Sequence, residues 1–177
     1  MTGFTINYKI EDSSIKPESV REWYQLNGGI RVIFNDIILT KNVQAPDDEG
    51  FIGNYILYEI PEIIEAIPRL IEGQKCMISI EEDMIGISLD LTDGQVYFSI
   101  VSTQHECRWA IDTTESYPCG ERGCPIPAKI FFAGVIDLGE KFIADVSQRY
   151  VNLHNYVKDI KTTLDYASKV AEDYDKP

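Results

Sequence analysis

The sequence predicts an α+β fold: an antiparallel twisted sheet in two meanders, packed by a short central helix and a long C-terminal helix. Three observations carry that expectation. β-rich runs cluster at 4–40 and again at 76–101, each cluster punctuated by Asn, Asp and Gly. Between them, Ile63, Ile64, Ile67, Leu70 and Ile71 fall on one helical face. From Leu138 to Ala171 apolar residues recur at helical spacing. The 177 residues are expected to form one domain over 1–177, with 137–173 as its C-terminal helical segment.

Taken in order, Phe4–Ile10 (FTINYKI) alternates as a strand does. Glu22–Leu26, Ile30–Phe34 and Ile37–Thr40 read as three short strands separated by Asn27-Gly28-Gly29 and Asn35-Asp36. Both separators tolerate positive φ and so read as turns. Gln44–Gly50 (QAPDDEG) is a polar loop. In the central helix Pro61 suits the first turn, Pro68 should kink the pattern, and Gly73 suits the C-terminal stop. The second meander comprises Cys76–Ile80, Ile85–Leu91 and Gln95–Val101, with turns at Glu81-Glu82-Asp83 and Thr92-Asp93-Gly94. Ile85, Ile87, Leu89 and Leu91 share one face and Gly86, Ser88 and Asp90 the other, so one face should be wet.

Lys129–Phe132 (KIFF) reads as a last strand, and Asp137 with Glu140 as a capping box opening the tail helix. An unbroken helix over 138–171 would span about 50 Å. A compact chain of this size is only about 40 Å across. The helix therefore breaks near Asn152–Asn155, or projects and pairs with a second copy; the break is the favoured reading.

Twenty-nine acidic residues against sixteen basic ones give a net charge of −13. That field repels phosphates and argues against nucleic acid as partner. Over 47–93 the net charge is −10, from twelve carboxylates and only Arg69 and Lys75. Such a window is a solvated face or a surface that meets a basic partner. Asp47, Asp48 and Glu49, with Glu81, Glu82 and Asp83, group in two loops and are the candidate partner-binding residues. The longest apolar runs fall far short of the ~20 residues that span a membrane. MTGFTINYKIEDSS lacks a basic region followed by an apolar core, so a cytoplasmic location with reduced thiols is expected.

The stretch QHECRWAIDTTESYPCGERGCPIP holds three of four cysteines. His105, Cys107, Cys119 and Cys124 have the softness zinc requires, but the spacing is not a paired CxxC pattern. A disulfide between Cys119 and Cys124 is geometrically compatible with Gly120 and Gly123. The expectation is a solvent-facing loop with reduced, metal-free thiols and no cofactor. A zinc deaminase is excluded, since Cys107 stands where the catalytic glutamate belongs and Glu106 is displaced by one residue.

Other catalytic signatures are missing from the sequence: no phosphate-binding glycine loop, nucleophile elbow or HExxH helix. No catalytic residues are assigned, and the expectation is a non-enzyme. Asp90 and Asp93 with the 81–83 cluster could hold a divalent cation, but read better as turn and strand-face residues. His154 reads as a structural or surface residue of the tail helix.

The APDDEG loop and the stretch ILYEIPEIIEAIPRLIEGQKCMISIEEDMIGISLDLTDGQVYFSI resemble bacterial immunity proteins of polymorphic or contact-dependent toxin systems. The shared layout is a helix ending in L-x-x-G, here Leu70-Ile71-Glu72-Gly73, followed by a meander with an acidic turn. It covers the middle third of the chain. The resemblance implies a non-catalytic protein that binds and blocks one cognate toxin domain, commonly a nuclease with a basic cleft. The alternatives are a homodimeric scaffold held by the C-terminal helix, with a zinc-stapled loop, and third a small hydrolase.

Overall fold

The computed structural model describes residues 3–11, 16–80, 85–103, 111–113, 116–120 and 122–174. Its architecture is mixed α+β, with two antiparallel sheets and three helices. The first sheet has the order β1 (Phe4–Ile10), β2 (Gly28–Phe34), β3 (Ile37–Ile38). β1 and β2 run in register from Phe4 opposite Phe34 to Ile10 opposite Gly28. Asn35 and Asp36, at φ 50° and 65°, close the β2–β3 hairpin as expected for residues that accept left-handed backbone.

Two expectations fail here. Glu22–Leu26 is not a strand, because Trp23–Gln25 forms a 3-10 turn. The Gln25 side-chain carbonyl accepts the N–H groups of Arg21 and Glu22 at 2.8 and 3.0 Å, a local bond that competes with sheet pairing. Gly28 and Gly29 are not a turn but part of β2. A β-carbon on Gly28 would stand 2.2 Å from the Lys9 carbonyl oxygen, so the glycine serves close backbone approach.

The second sheet runs β4 (Cys76–Ile80), β5 (Ile85–Thr92), β6 (Gln95–Thr103). β7 (Ile111–Thr113) and β8 (Cys124–Pro127) both pair with β6, β7 opposite Val101–Thr103 and β8 opposite Gln95–Phe98. Asp93 and Gly94, at φ 50° and 73°, make the β5–β6 turn. Residues 104–127 are expected to be loop, yet two short pieces of that stretch, β7 and β8, complete the sheet. The face expected to be wet is only partly so. Ser88 and Asp90 are half-buried, but Gly86, Ser99 and Val101 are buried.

α1 (Ile56–Ile71) lies at the centre, with Ile56, Ile60, Ile64, Ala66 and Ile67 all fully buried. The helix starts earlier than expected, so Pro61 sits inside it rather than in its first turn. Glu59 opens it: its carboxylate accepts the Asn54 N–H at 2.9 Å and sits at the positive end of the helix dipole. Gly53, at φ 105°, leaves room for that carboxylate, which a β-carbon would strike. At the far end the Gly73 N–H reaches the Leu70 carbonyl and the Gln74 N–H the Arg69 carbonyl, the paired bonds of a Schellman stop.

α2 (Ala128–Arg149) replaces both the KIFF strand and the capping box at Asp137. Phe131, Val135, Leu138, Phe142 and Val146 are its buried stripe, so the helical period begins seven residues before Leu138. Asp137 lies in mid-helix, where it pairs with Lys141 one turn on at 2.6 Å. The long tail does break. α2 ends at Arg149, Tyr150 leaves helical geometry at φ −125° and ψ 72°, and after a 3-10 turn at Val151–Leu153 the chain enters α3 (His154–Tyr174).

α3 packs on α1 and α2 within the same chain. Its buried residues Ile160, Leu164 and Ala167 belong to the apolar run of the tail and are covered within the one chain. One hydrophobic cluster therefore reaches from Phe4 to Ala167. Among the described residues no helix is long and apolar enough to cross a membrane.

Candidate functional site

The loop between β3 and α1 carries three of the six candidate partner-binding residues, and its shape comes from one of them. Asp48 Oδ2 accepts the Asn42 N–H at 2.6 Å, and Oδ1 accepts the Gly50 N–H at 2.7 Å. The Asp48 N–H in turn reaches the Ala45 carbonyl at 3.1 Å. Buried Thr40 fastens the base: its hydroxyl donates to the Gly50 carbonyl at 2.5 Å and accepts the Val32 N–H at 3.1 Å. Asp48 is thus half-buried and committed to backbone, whereas Asp47 and Glu49 on either side are exposed. A short polar side chain bonding its own loop is what Asp does well, and here it aims its neighbours outward.

The loop is not uniformly acidic in its surroundings. Glu49 pairs with Lys9 of β1 at 3.5 Å, an exposed contact worth at most about 1 kcal/mol. Lys9 and the Arg31 guanidinium both lie over the Phe51 ring, at 5.0 and 4.7 Å from its centroid. Nothing in the sequence reading picked out this trio. Strand register brings it together, since Lys9 pairs opposite Gly29 and Asn7 opposite Arg31, which puts Lys9 and Arg31 on one face two residues apart.

Beside the loop opens a cleft of about 440 Å³, lined by Asn42, Asp48, Phe51, Ile85, Ser116 and Tyr117 among others. The Val43 N–H donates to the Ser116 carbonyl at 2.8 Å and ties the acidic loop to the segment before β8. Glu81, Glu82 and Asp83 lie outside the described residues. Ile80 and Ile85, which flank that segment in sequence, pair across β4 and β5, and Ile85 lines the cleft that Asp48 lines.

The other candidates fall elsewhere. Asp90 lies near the C-terminal end of β5, where it pairs with Lys75 at 2.7 Å, and Asp93 lies in the turn that follows. They do not join Asp48. His154 is exposed at the start of α3. Away from these candidates, Glu62 and Glu65 ride on α1 and Glu72 caps its C-terminal end; Glu65 and Glu72 border a groove of about 440 Å³ against Thr162, Thr163 and Tyr166 of α3. Burial, then the neighbouring Glu65 charge, push the Glu62 carboxyl above its usual range, against the opposing pull of Arg69 at 3.7 Å.

Of the four thiol and imidazole candidates, His105 and Cys107 lie outside the described residues. Cys119 is buried, contrary to the expected solvent-facing loop, and Cys124 is half-buried at the start of β8. The two thiols perturb each other, Cys119 being pushed up and Cys124 down. Among the described residues no three His, Cys, Asp or Glu side chains are grouped as a metal site would need.

No family model, no curated protein and no solved structure matches this chain.

Proposed function

We propose that this protein is a non-catalytic binding module that neutralises a basic toxin domain, as an immunity protein does. The observation that supports it most is the acidic loop. Asp48 commits its carboxylate to the loop's own backbone and lines a cleft, while its sequence neighbours Asp47 and Glu49 are exposed. A chain of net charge −13 adds long-range attraction for a cationic partner. In this reading Asp47, Glu49, Glu81, Glu82 and Asp83 take the place of substrate phosphates in a nuclease-like cleft and occlude it. Asp48 holds the loop rather than the partner. The homodimer alternative loses its main ground, because Ile160, Leu164 and Ala167 already pack on α1 and α2.

The test is growth protection together with direct binding, against the product of the adjacent gene. Wild-type protein should bind that product and protect cells exposed to it. Reversing Glu81, Glu82 and Asp83 together to lysine should slow association and abolish protection. Failure of the wild type to bind and protect would sink the toxin-neutralising reading. Protection by the triple reversal equal to wild type would keep the function and remove that loop from the surface.

A further inference from the structure

Cys119 and Cys124 have no place in the binding reading, and the inference drawn from them does not depend on it. Four residues separate them, and the chain between them is bent by Gly120 and Gly123 at φ 52° and 70°. The Gly123 N–H closes that bend onto the Gly120 carbonyl at 3.3 Å. Gly123 is also confined from outside, since a β-carbon there would stand 2.7 Å from Ser99 Oγ. Cys124 is held by the β8 ladder opposite Phe98. The backbone thus sets Cys119 and Cys124 at the two ends of a short turn.

We propose that Cys119 and Cys124 form a reversible disulfide site, oxidised by thiol–disulfide exchange with a low-molecular-weight disulfide such as oxidised glutathione. The two thiols are unequal in the way such exchange requires. Cys124 is half-buried and open to an incoming disulfide, while Cys119 is 9% exposed and shielded from one. The hydrogen bond from the Cys119 thiol holds Cys124 below the usual thiol range, against the opposing effect of burial. The same bond, followed by burial, pushes Cys119 up. Cys124 is therefore the attacking thiolate and Cys119 the resolving thiol.

The exchange balances in two displacements. Cys124 Sγ⁻ attacks one sulfur of oxidised glutathione; the glutathione S–S bond breaks and one glutathione leaves as thiolate. That thiolate takes the proton released by Cys119. Cys119 Sγ⁻ then attacks Cys124 Sγ in the mixed disulfide, and the second glutathione leaves as thiolate. The protein pair loses two electrons and one glutathione disulfide gains them. Excess reduced glutathione reverses both steps.

The experiment equilibrates purified full-length protein with oxidised glutathione, blocks remaining thiols with iodoacetamide, and reads intact mass and tryptic peptides. Cleavage after Arg122 separates the two cysteines, so the disulfide would join peptide 109–122 to peptide 123–129. The expected result is that cross-link, the loss of two alkylatable thiols, and their return under reduced glutathione. Cys119→Ser should accumulate the glutathione mixed disulfide at Cys124, and Cys124→Ser should leave Cys119 unmodified. Full alkylation of both thiols in the treated wild type would overturn the proposal. So would a cross-link from peptide 76–108, which carries Cys107, or stoichiometric zinc lost in Cys124→Ser.

Discussion

At Gly139 of α2, a β-carbon would stand 2.8 Å from Leu164 Cδ1 and 3.0 Å from Ile64 Cδ1, so three helices close on one another over aliphatic side chains. At Asp48, a single carboxylate gathers two backbone N–H groups at 2.6 and 2.7 Å and shapes a loop of polar residues. The first region is held by burial between residues a hundred positions apart. The second is shaped by a carboxylate whose bonds reach no more than six positions along the chain. The difference separates what keeps the chain folded from what it can show a partner. The helix junction is closed to solvent, while the loop is rigid enough to present charge and open enough to be reached.

Substitutions can break or sharpen that contrast. The largest effect belongs to Ile64→Ala, which empties a fully buried site among three helices and should cost about 2–5 kcal/mol by chemical denaturation. Ile160→Ala, at a site 5% exposed on α3, should fall in the lower part of the same range. A change within experimental error at Ile160 would mean that α3 is not part of the folded core. Asp48→Ala comes next. It strands two backbone N–H groups in a half-buried loop, and its expected cost is about 1–3 kcal/mol, with Asp48→Asn milder.

A smaller effect comes from Tyr8 of β1, whose hydroxyl donates to Asp145 at 3.2 Å. Burial, then the Asp145 charge, push its pKa from 10.0 to about 12. The phenol is raised above its unfolded value, so its contribution is whole below about pH 10 and fades as pH rises toward 12. Compared with Tyr8→Phe, the wild type should therefore lose stability selectively above pH 10 in parallel denaturation series. Equal loss in both proteins would show that Tyr8 ionises no later than an exposed tyrosine. Smallest of all are Asp47→Lys, within about 0.5 kcal/mol of wild type in stability because its side chain is exposed, and Glu49→Lys, which loses the Lys9 pair and should cost about 1 kcal/mol at most.

The parts legible in the sequence share one property: their cause is local. The hairpins at Asn35-Asp36 and Thr92-Asp93-Gly94 follow from residues that accept positive φ. The Gly73 stop follows from the same tolerance. The isoleucine stripe of α1 is a period visible without knowing what covers it. The misreadings were at places where a distant or competing contact decides. Gly28 looks like a turn until Lys9 is seen across the ladder. KIFF looks like a strand because Phe and Ile favour both states; its helical register appears only when Phe131 is counted with Val135 and Phe142. For the acidic loop, composition marked Asp47, Asp48 and Glu49 alike. Only the bonds to Asn42 and Gly50 separate the scaffold residue from the two that point outward. Lys9, Arg31 and Phe51 left no mark in sequence because they come from three separate segments.

On the proposed reading, a loop that Asp48 holds in shape presents Asp47 and Glu49 to a cationic partner. The most direct test of that reading is the association rate of the adjacent gene product with wild type and with the Asp47→Lys/Glu49→Lys double variant, at low and at physiological salt. The account predicts association slowed by roughly tenfold or more in the double variant at low salt. The gap should narrow as the screening length falls to about 8 Å, with the folded stability of the two proteins nearly equal. Equal association rates at low salt, for a partner that binds the wild type, would contradict it.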